Sequence, residues 1–139
     1  MDEVRFGHEM GATLTLHDPQ RGEDGELSSI VATLDCDGLR ATKRVSAHYA
    51  SCMDALIAYF DDLAEHWQGW DSYKSYKSLE GDLTLTARHD GTGHVFLDVE
   101  LQWDHPPIEW SAKGQVLTDP GAQMAEAAAA AQLLLARFQ

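Results

Sequence analysis

Leu83, Leu85 and Ala87, then Val95, Leu97, Val99 and Leu101, fall at every second position on either side of Asp90-Gly91-Thr92-Gly93. Alternation of period two around a glycine-rich tip predicts an antiparallel β-hairpin. Its register follows from the requirement that the two apolar rows share a face. A two-residue loop at Gly91-Thr92 would set Leu83 and Leu85 beside Glu100 and Asp98. A three-residue loop with Gly93 left-handed instead sets Leu85 opposite Val99 and Ala87 opposite Leu97, and this is the expected register. Leu85, Leu97 and Val99 then point into a core. Thr84, Thr86, Arg88, Asp90, His94, Phe96, Asp98 and Glu100 share the other face, and His89 is separated from His94.

The same period recurs around Asp37-Gly38, where a two-residue type I′ loop is expected. Ile30, Ala32, Leu34 and Cys36 line one face with Leu39, Ala41, Val45 and Ala47, while Asp35 opposes Arg40, Thr33 opposes Thr42 and Ser29 opposes Ser46. Upstream, Thr13 to His17 alternates as a short first strand, Met1 to Gly11 has no clear period, and Asp18 to Gly25 reads as a loop from its Pro, Gly and charges. Trp70 to Ser78 reads as an irregular strand or loop. Asp104-His105-Pro106-Pro107 must turn the chain, and Ile108, Trp110, Ala112, Gly114 and Val116 alternate in a last strand.

Spacings of three and four predict two helices. Met53, Leu56, Ile57, Phe60, Leu63, Ala64 and Trp67 mark the first, with Ser51 to Asp54 as a capping box and Gly69 as its stop. Met124, Ala127, Ala128, Ala131, Leu134, Leu135 and Phe138 mark the second, opened by the Asp119 cap and Pro120. The expected architecture is a single α+β domain over residues 1–139, an antiparallel β-sheet of about six or seven strands with two helices packed on one face and the opposite face open.

An apolar content of 44% over 139 residues suffices for a core without disulfide or metal support. With 10 Lys+Arg against 23 Asp+Glu the formal net charge is -13, which makes nucleic acid a poor partner and a basic protein or cationic ligand a better one. Cys36 and Cys52 lack CxxC spacing and read as buried thiols. No signal peptide and no apolar run of membrane-spanning length is evident, so a soluble cytoplasmic protein without a membrane partner is expected.

Candidate chemistry changes this picture little. Seven histidines form no HExxH or other ligand spacing, so no metal site is expected, and His94 is expected to bond Asp90 at the hairpin tip. No GxSxG elbow is present, and Gly91-Thr92-Gly93 lacks the following helix of a phosphate loop. Asp98 and Glu100 share a face with paired-carboxylate spacing, but any open acidic sheet offers as much, so no catalytic residue and no cofactor are assigned. The first helix carries Asp54, Asp61, Asp62 and Glu65 with no Lys or Arg, which is either a solvated face or an acidic contact surface. Trp67 and Trp110 lie on apolar rows and are expected in the core or clamping loops, whereas Trp70, Tyr73 and Tyr76 are off any row and are the better binding candidates. The candidate binding residues are thus Asp61, Asp62, Glu65, Trp70 and Tyr73, together with Arg88, His94, Asp98 and Glu100 on the polar sheet face.

Trp67-Gln68-Gly69-Trp70, Ser78-Leu79-Glu80-Gly81-Asp82-Leu83, Gly93-His94-Val95 and the Pro120-Gly121 helix start together resemble an uncharacterised, mainly actinobacterial domain-of-unknown-function family over residues 26 to 138. The resemblance implies no activity, so function rests on the site. In size, charge and layout the chain is also similar to immunity proteins that neutralise bacterial toxins, without a shared motif. The first functional reading is a non-enzymatic, immunity-like binding protein using acidic and aromatic surface. The alternative is a small-molecule binder or small enzyme using the polar sheet face.

Overall fold

A computed structural model describes residues 3–7, 11–23, 27–46, 54–119 and 122–136. In chain order it runs β1 (Glu3–Gly7), β2 (Thr13–Arg21), β3 (Leu27–Cys36), β4 (Leu39–Ser46), α1 (Asp54–Glu65), β5 (Tyr73–Lys77), β6 (Leu83–His89), β7 (Val95–His105), β8 (Ile108–Thr118) and α2 (Ala122–Ala136). The class is α+β as expected, but eight strands form two four-stranded antiparallel meanders, β1-β2-β3-β4 and β5-β6-β7-β8, where one sheet of six or seven was expected.

Both central hairpins take the expected registers. Leu85 pairs with Val99 and Ala87 with Leu97, and Gly93 at the loop is left-handed at φ 100°. Asp35 pairs with Arg40, Thr33 with Thr42 and Ser29 with Ser46. The Asp37-Gly38 loop has two residues, but only Gly38 has positive φ, so the turn is not type I′, which needs both.

Two differences lie upstream. Val4 and Phe6, each 1% exposed, form the inner row of β1, a run of alternation too short to stand out among its charged neighbours. β2 continues to Arg21 through the stretch expected as a loop, because register shifts between His17, Gln20 and Arg21 place Pro19 in a bulge where no ladder donor is required. The Arg44 guanidinium binds the Asp18 carboxylate and backbone carbonyl there.

The inner rows of both sheets and the buried sides of both helices form one apolar cluster. Helix α1 reaches both sheets: the Phe60 ring lies 4.5 Å from Phe6 of β1, and Tyr59 lies 6.0 Å from Tyr76 of β5 while its hydroxyl donates to the Lys74 carbonyl at 2.9 Å. The α2 alanines 127, 128 and 131 are buried, and Met124 is fully enclosed. Small side chains let this helix approach closely. The expected capping box of the first helix, its Met53, the Ala47 position, Cys52, the Pro120-Gly121 start and Phe138 lie outside the described residues. No described helix is long and apolar enough to cross a membrane.

Candidate functional site

The β5–β8 ladder assembles the outward residues into cross-strand rows. Tyr73, Arg88, Phe96 and Leu117 are successive partners across all four strands, followed by Ser75, Thr86, Asp98 and Gln115, then by Lys77, Thr84, Glu100 and Lys113. The first row is apolar and aromatic around one cation: Tyr73 is 64% and Leu117 38% exposed, and the Arg88 guanidinium lies 4.8 Å from the Phe96 ring centroid. Such a contact keeps the charge in water while the planar groups stack. In the next rows Gln115 Nε2 donates to Asp98 Oδ1 at 3.0 Å and Lys113 Nζ reaches Glu100 Oε2 at 3.2 Å. Thr84, Thr86, Asp98, Glu100 and Lys113 border a shallow hollow of about 380 Å³.

Four of the candidate residues, Tyr73, Arg88, Asp98 and Glu100, therefore share one open face. His94 stands at its edge, its Nδ1 2.8 Å from Asp90 Oδ2, as expected. The Thr92 and His94 N–H groups donate to Asp90 Oδ1 at 2.7 and 3.1 Å. These bonds, the Thr92 amide foremost, hold the Asp90 carboxyl well below the usual carboxylate range. The role is that of a turn clamp. His89 belongs to the other side: its Nδ1 accepts from Gly91 N–H at 2.8 Å, which leaves the proton on Nε2 to donate to the Trp67 carbonyl at 2.9 Å. Among the described residues no three His, Cys, Asp or Glu side chains are grouped as a metal site requires.

Asp61, Asp62 and Glu65 are on α1, apart from this face. The expectation that the acids of this helix lack a cation is corrected for Asp62. Lys74 of β5 reaches Asp62 Oδ2 at 2.8 Å, His66 Nδ1 lies 3.0 Å from Asp62 Oδ1, and Gln132 of α2 donates to Asp61 Oδ2 at 2.9 Å. Period along one helix cannot show a cation arriving from a strand. Among the aromatics the expectations of burial and exposure fail for Trp67, Trp70 and Tyr76 and hold for Tyr73 and Trp110. Trp67, expected in the core or clamping a loop, follows the end of α1 and at 48% exposed is not in the core. Trp70 is partly buried against the core, its indole N–H donating to the Ala87 carbonyl at 3.3 Å, and Tyr76 is 8% exposed. Trp110 is half-buried against the core, as expected.

A second polar constellation has no counterpart among the expected site residues. The apolar row of β4 runs Leu39, Ala41, Lys43, Val45, and Lys43 takes an inward position. Its Nζ lies 3.1 Å from Asp82 Oδ2 and 4.4 Å from the Trp103 ring centroid, and it donates to the Arg44 carbonyl at 2.8 Å. Asp82 is 3% exposed, and its other oxygen accepts from Ser78 Oγ at 2.6 Å. Ser78 Oγ in turn accepts from Leu83 N–H at 2.9 Å, and the Asp82 carbonyl accepts from Gln102 N–H at 3.0 Å. A buried ion pair is tolerable only when so completely bonded. One lysine interrupting an apolar row was the legible signal. Burial, with the Asp35 charge second, raises the Cys36 thiol above its ordinary value, so little of it is thiolate near neutrality. On the outer face of the first sheet a further hollow of about 350 Å³ is lined by Arg5, His17 and Thr33 among others. There His17 Nε2 lies 2.9 Å from Thr33 Oγ1, a hydroxyl that also bonds Thr42 at 3.2 Å.

The described residues thus define an α+β protein with an open, mixed aromatic and charged sheet face. The chain belongs to a family of unknown function, DUF6228, whose model matches residues 5–137. A comparison with curated proteins finds no match, and a comparison with solved structures finds none either.

Proposed function

We propose that this chain is a non-enzymatic protein-binding module and that the outer face of the second sheet is its contact surface. The observation that carries the reading is the row Tyr73, Arg88, Phe96 and Leu117, contiguous by strand pairing. Tyr, Phe and Arg are enriched where interfaces are anchored, because each brings a large contact area, to which Tyr adds a hydroxyl and Arg a charged fork. The hollow beside the row is shallow, whereas sites for small molecules enclose most of the ligand, so the face suits another protein's surface. The net charge of -13 favours a basic partner. Neutralisation of a basic toxin, the immunity-like role, is the finer form of this proposal.

The test is capture from an actinobacterial host, the source that the motif resemblance implies, using the wild-type chain and an Arg88→Ala/Phe96→Ala variant. The expected result is a stoichiometric protein retained by the wild type and weakened by about 2 kcal/mol or more in the variant. Retention by that variant, with loss in Asp61→Asn/Asp62→Asn, would move the contact to α1 and overturn the placement.

A further inference from the structure

The outer face described above does not end at Glu100. Along β7 and β8 it continues through Gln102 and Ser111 to Asp104 and Glu109, which face each other directly. Up to that point the ladder follows the usual rule that facing polar groups complement one another, with Asp98 bonded to Gln115 and Glu100 to Lys113. Asp104 opposite Glu109 breaks it, since like charges at facing positions destabilise a sheet. Neither carboxylate has an ion-pair partner among the described residues, whereas Asp18, Asp35, Asp62, Asp82 and Glu100 all have one. Glu80, from the turn beside them, is likewise unpaired among the described residues and lines a cleft of about 160 Å³ with Asp104, Trp103 and His105.

Large apolar side chains stand exposed at the same end. Ile108 is 63% and Leu79 52% exposed, and both prolines of the Pro106-Pro107 turn are exposed. An apolar tip with an acidic rim and an aromatic-walled cleft calls for a partner that brings apolar contact and positive charge together. A second copy of the chain does not fit, because each copy carries a net charge of -13. We propose that the end of the β7–β8 ribbon, with the 78–82 turn beside it, is the docking site for a lysine- or arginine-bearing segment of a protein partner, one basic side chain meeting Glu80 and Asp104 at the mouth of the cleft, beside the Trp103 ring that already carries Lys43. This rests on the protein-binding reading and gives the docked partner a direction: its basic part lies at Asp104 and Glu109, its anchored part at Phe96 and Leu117. Cation binding there relieves the facing carboxylates, so the local cost in the free chain becomes affinity in the complex.

The experiment is a heteronuclear NMR titration of the full chain with a peptide amide of alternating Lys and Leu, beside its Glu-Leu counterpart and lysine amide. Shifts are expected at Glu80, Asp104, Ile108 and Glu109 and at the Trp103 indole, with the Lys-Leu peptide alone. Glu80→Gln/Asp104→Asn/Glu109→Gln, all surface changes, should weaken binding about tenfold, while Asp61→Asn/Asp62→Asn leaves it unchanged. Equal weakening by both variants would reduce the effect to general acidity and overturn the proposal, as would equal shifts from lysine amide. A captured partner lost on Arg88→Ala/Phe96→Ala but indifferent to the triple change would keep the protein-binding reading and remove this site.

Discussion

Tyr76 shows how one buried side chain sets a pH limit for the whole. Burial, with the Asp82 charge second, pushes its phenol up to about 12, and Tyr59 is raised further by burial. A free tyrosine titrates near about 10, so the folded state keeps a proton that the unfolded chain releases. The contribution to stability is therefore complete below pH of about 10 and is lost as pH rises toward the folded value. Tyr76→Phe keeps the ring and removes the titration. Urea denaturation at pH 9 and pH 11.5 should show a smaller alkaline loss for the variant than for the wild type, and equal losses would assign the effect elsewhere. Residues of this kind were poorly legible in the sequence. Tyr76 and Trp70 lie off any apolar row, and their burial comes from α1 and the 66–72 connection folding over β5. Trp67 keeps the helical spacing but falls beyond the last turn, where spacing no longer determines direction.

Between elements the decisive contact is the one where β8 crosses the end of β3. A Cβ added to Gly114 would lie 2.7 Å from Cys36 Sγ and 3.1 Å from a Leu34 methyl. Gly114→Ala should then cost about 1 to 3 kcal/mol by overpacking, and Cys36→Ala in the same chain should recover part of it. Denaturant midpoints for the two single variants and the double variant measure this, and strict additivity would mean that the two sheets do not meet there. Hairpins were legible because each carries its own punctuation: a glycine turn and alternation on both sides admit one register. What alternation does not contain is which other sheet an inward row faces. Hence β3–β4 and β6–β7 were readable pair by pair, while their division into two meanders, and the meeting of Gly114 with Cys36, appear only in three dimensions.

For the molecule as a whole the dominant quantity is charge. If a basic partner docks on the second sheet, its association rate should fall as salt shortens the screening length from about 30 Å at 0.01 M to about 10 Å at 0.1 M. Dissociation should follow the anchors, so Phe96→Ala changes the off-rate and leaves the salt slope of the on-rate in place. Stopped-flow or surface-capture kinetics across a salt series separate the two, and a flat on-rate would exclude electrostatic steering. The polar sheet face was foreseeable from register alone, but its acidic end was not, because Asp104 and Glu109 become neighbours only through the turn at Pro106-Pro107. The same molecule-wide view bears on Lys43 of β4 and Asp82 of the turn that leads into β6, which bond between the first sheet and the segment that opens a strand of the second. Removing either partner alone would strand a buried charge, while exchanging both for apolar side chains would not. Inheritance at these two positions should therefore be linked: related chains are expected to carry the lysine and the aspartate together or to have lost both, with intermediates rare because natural selection would meet them as misfolded.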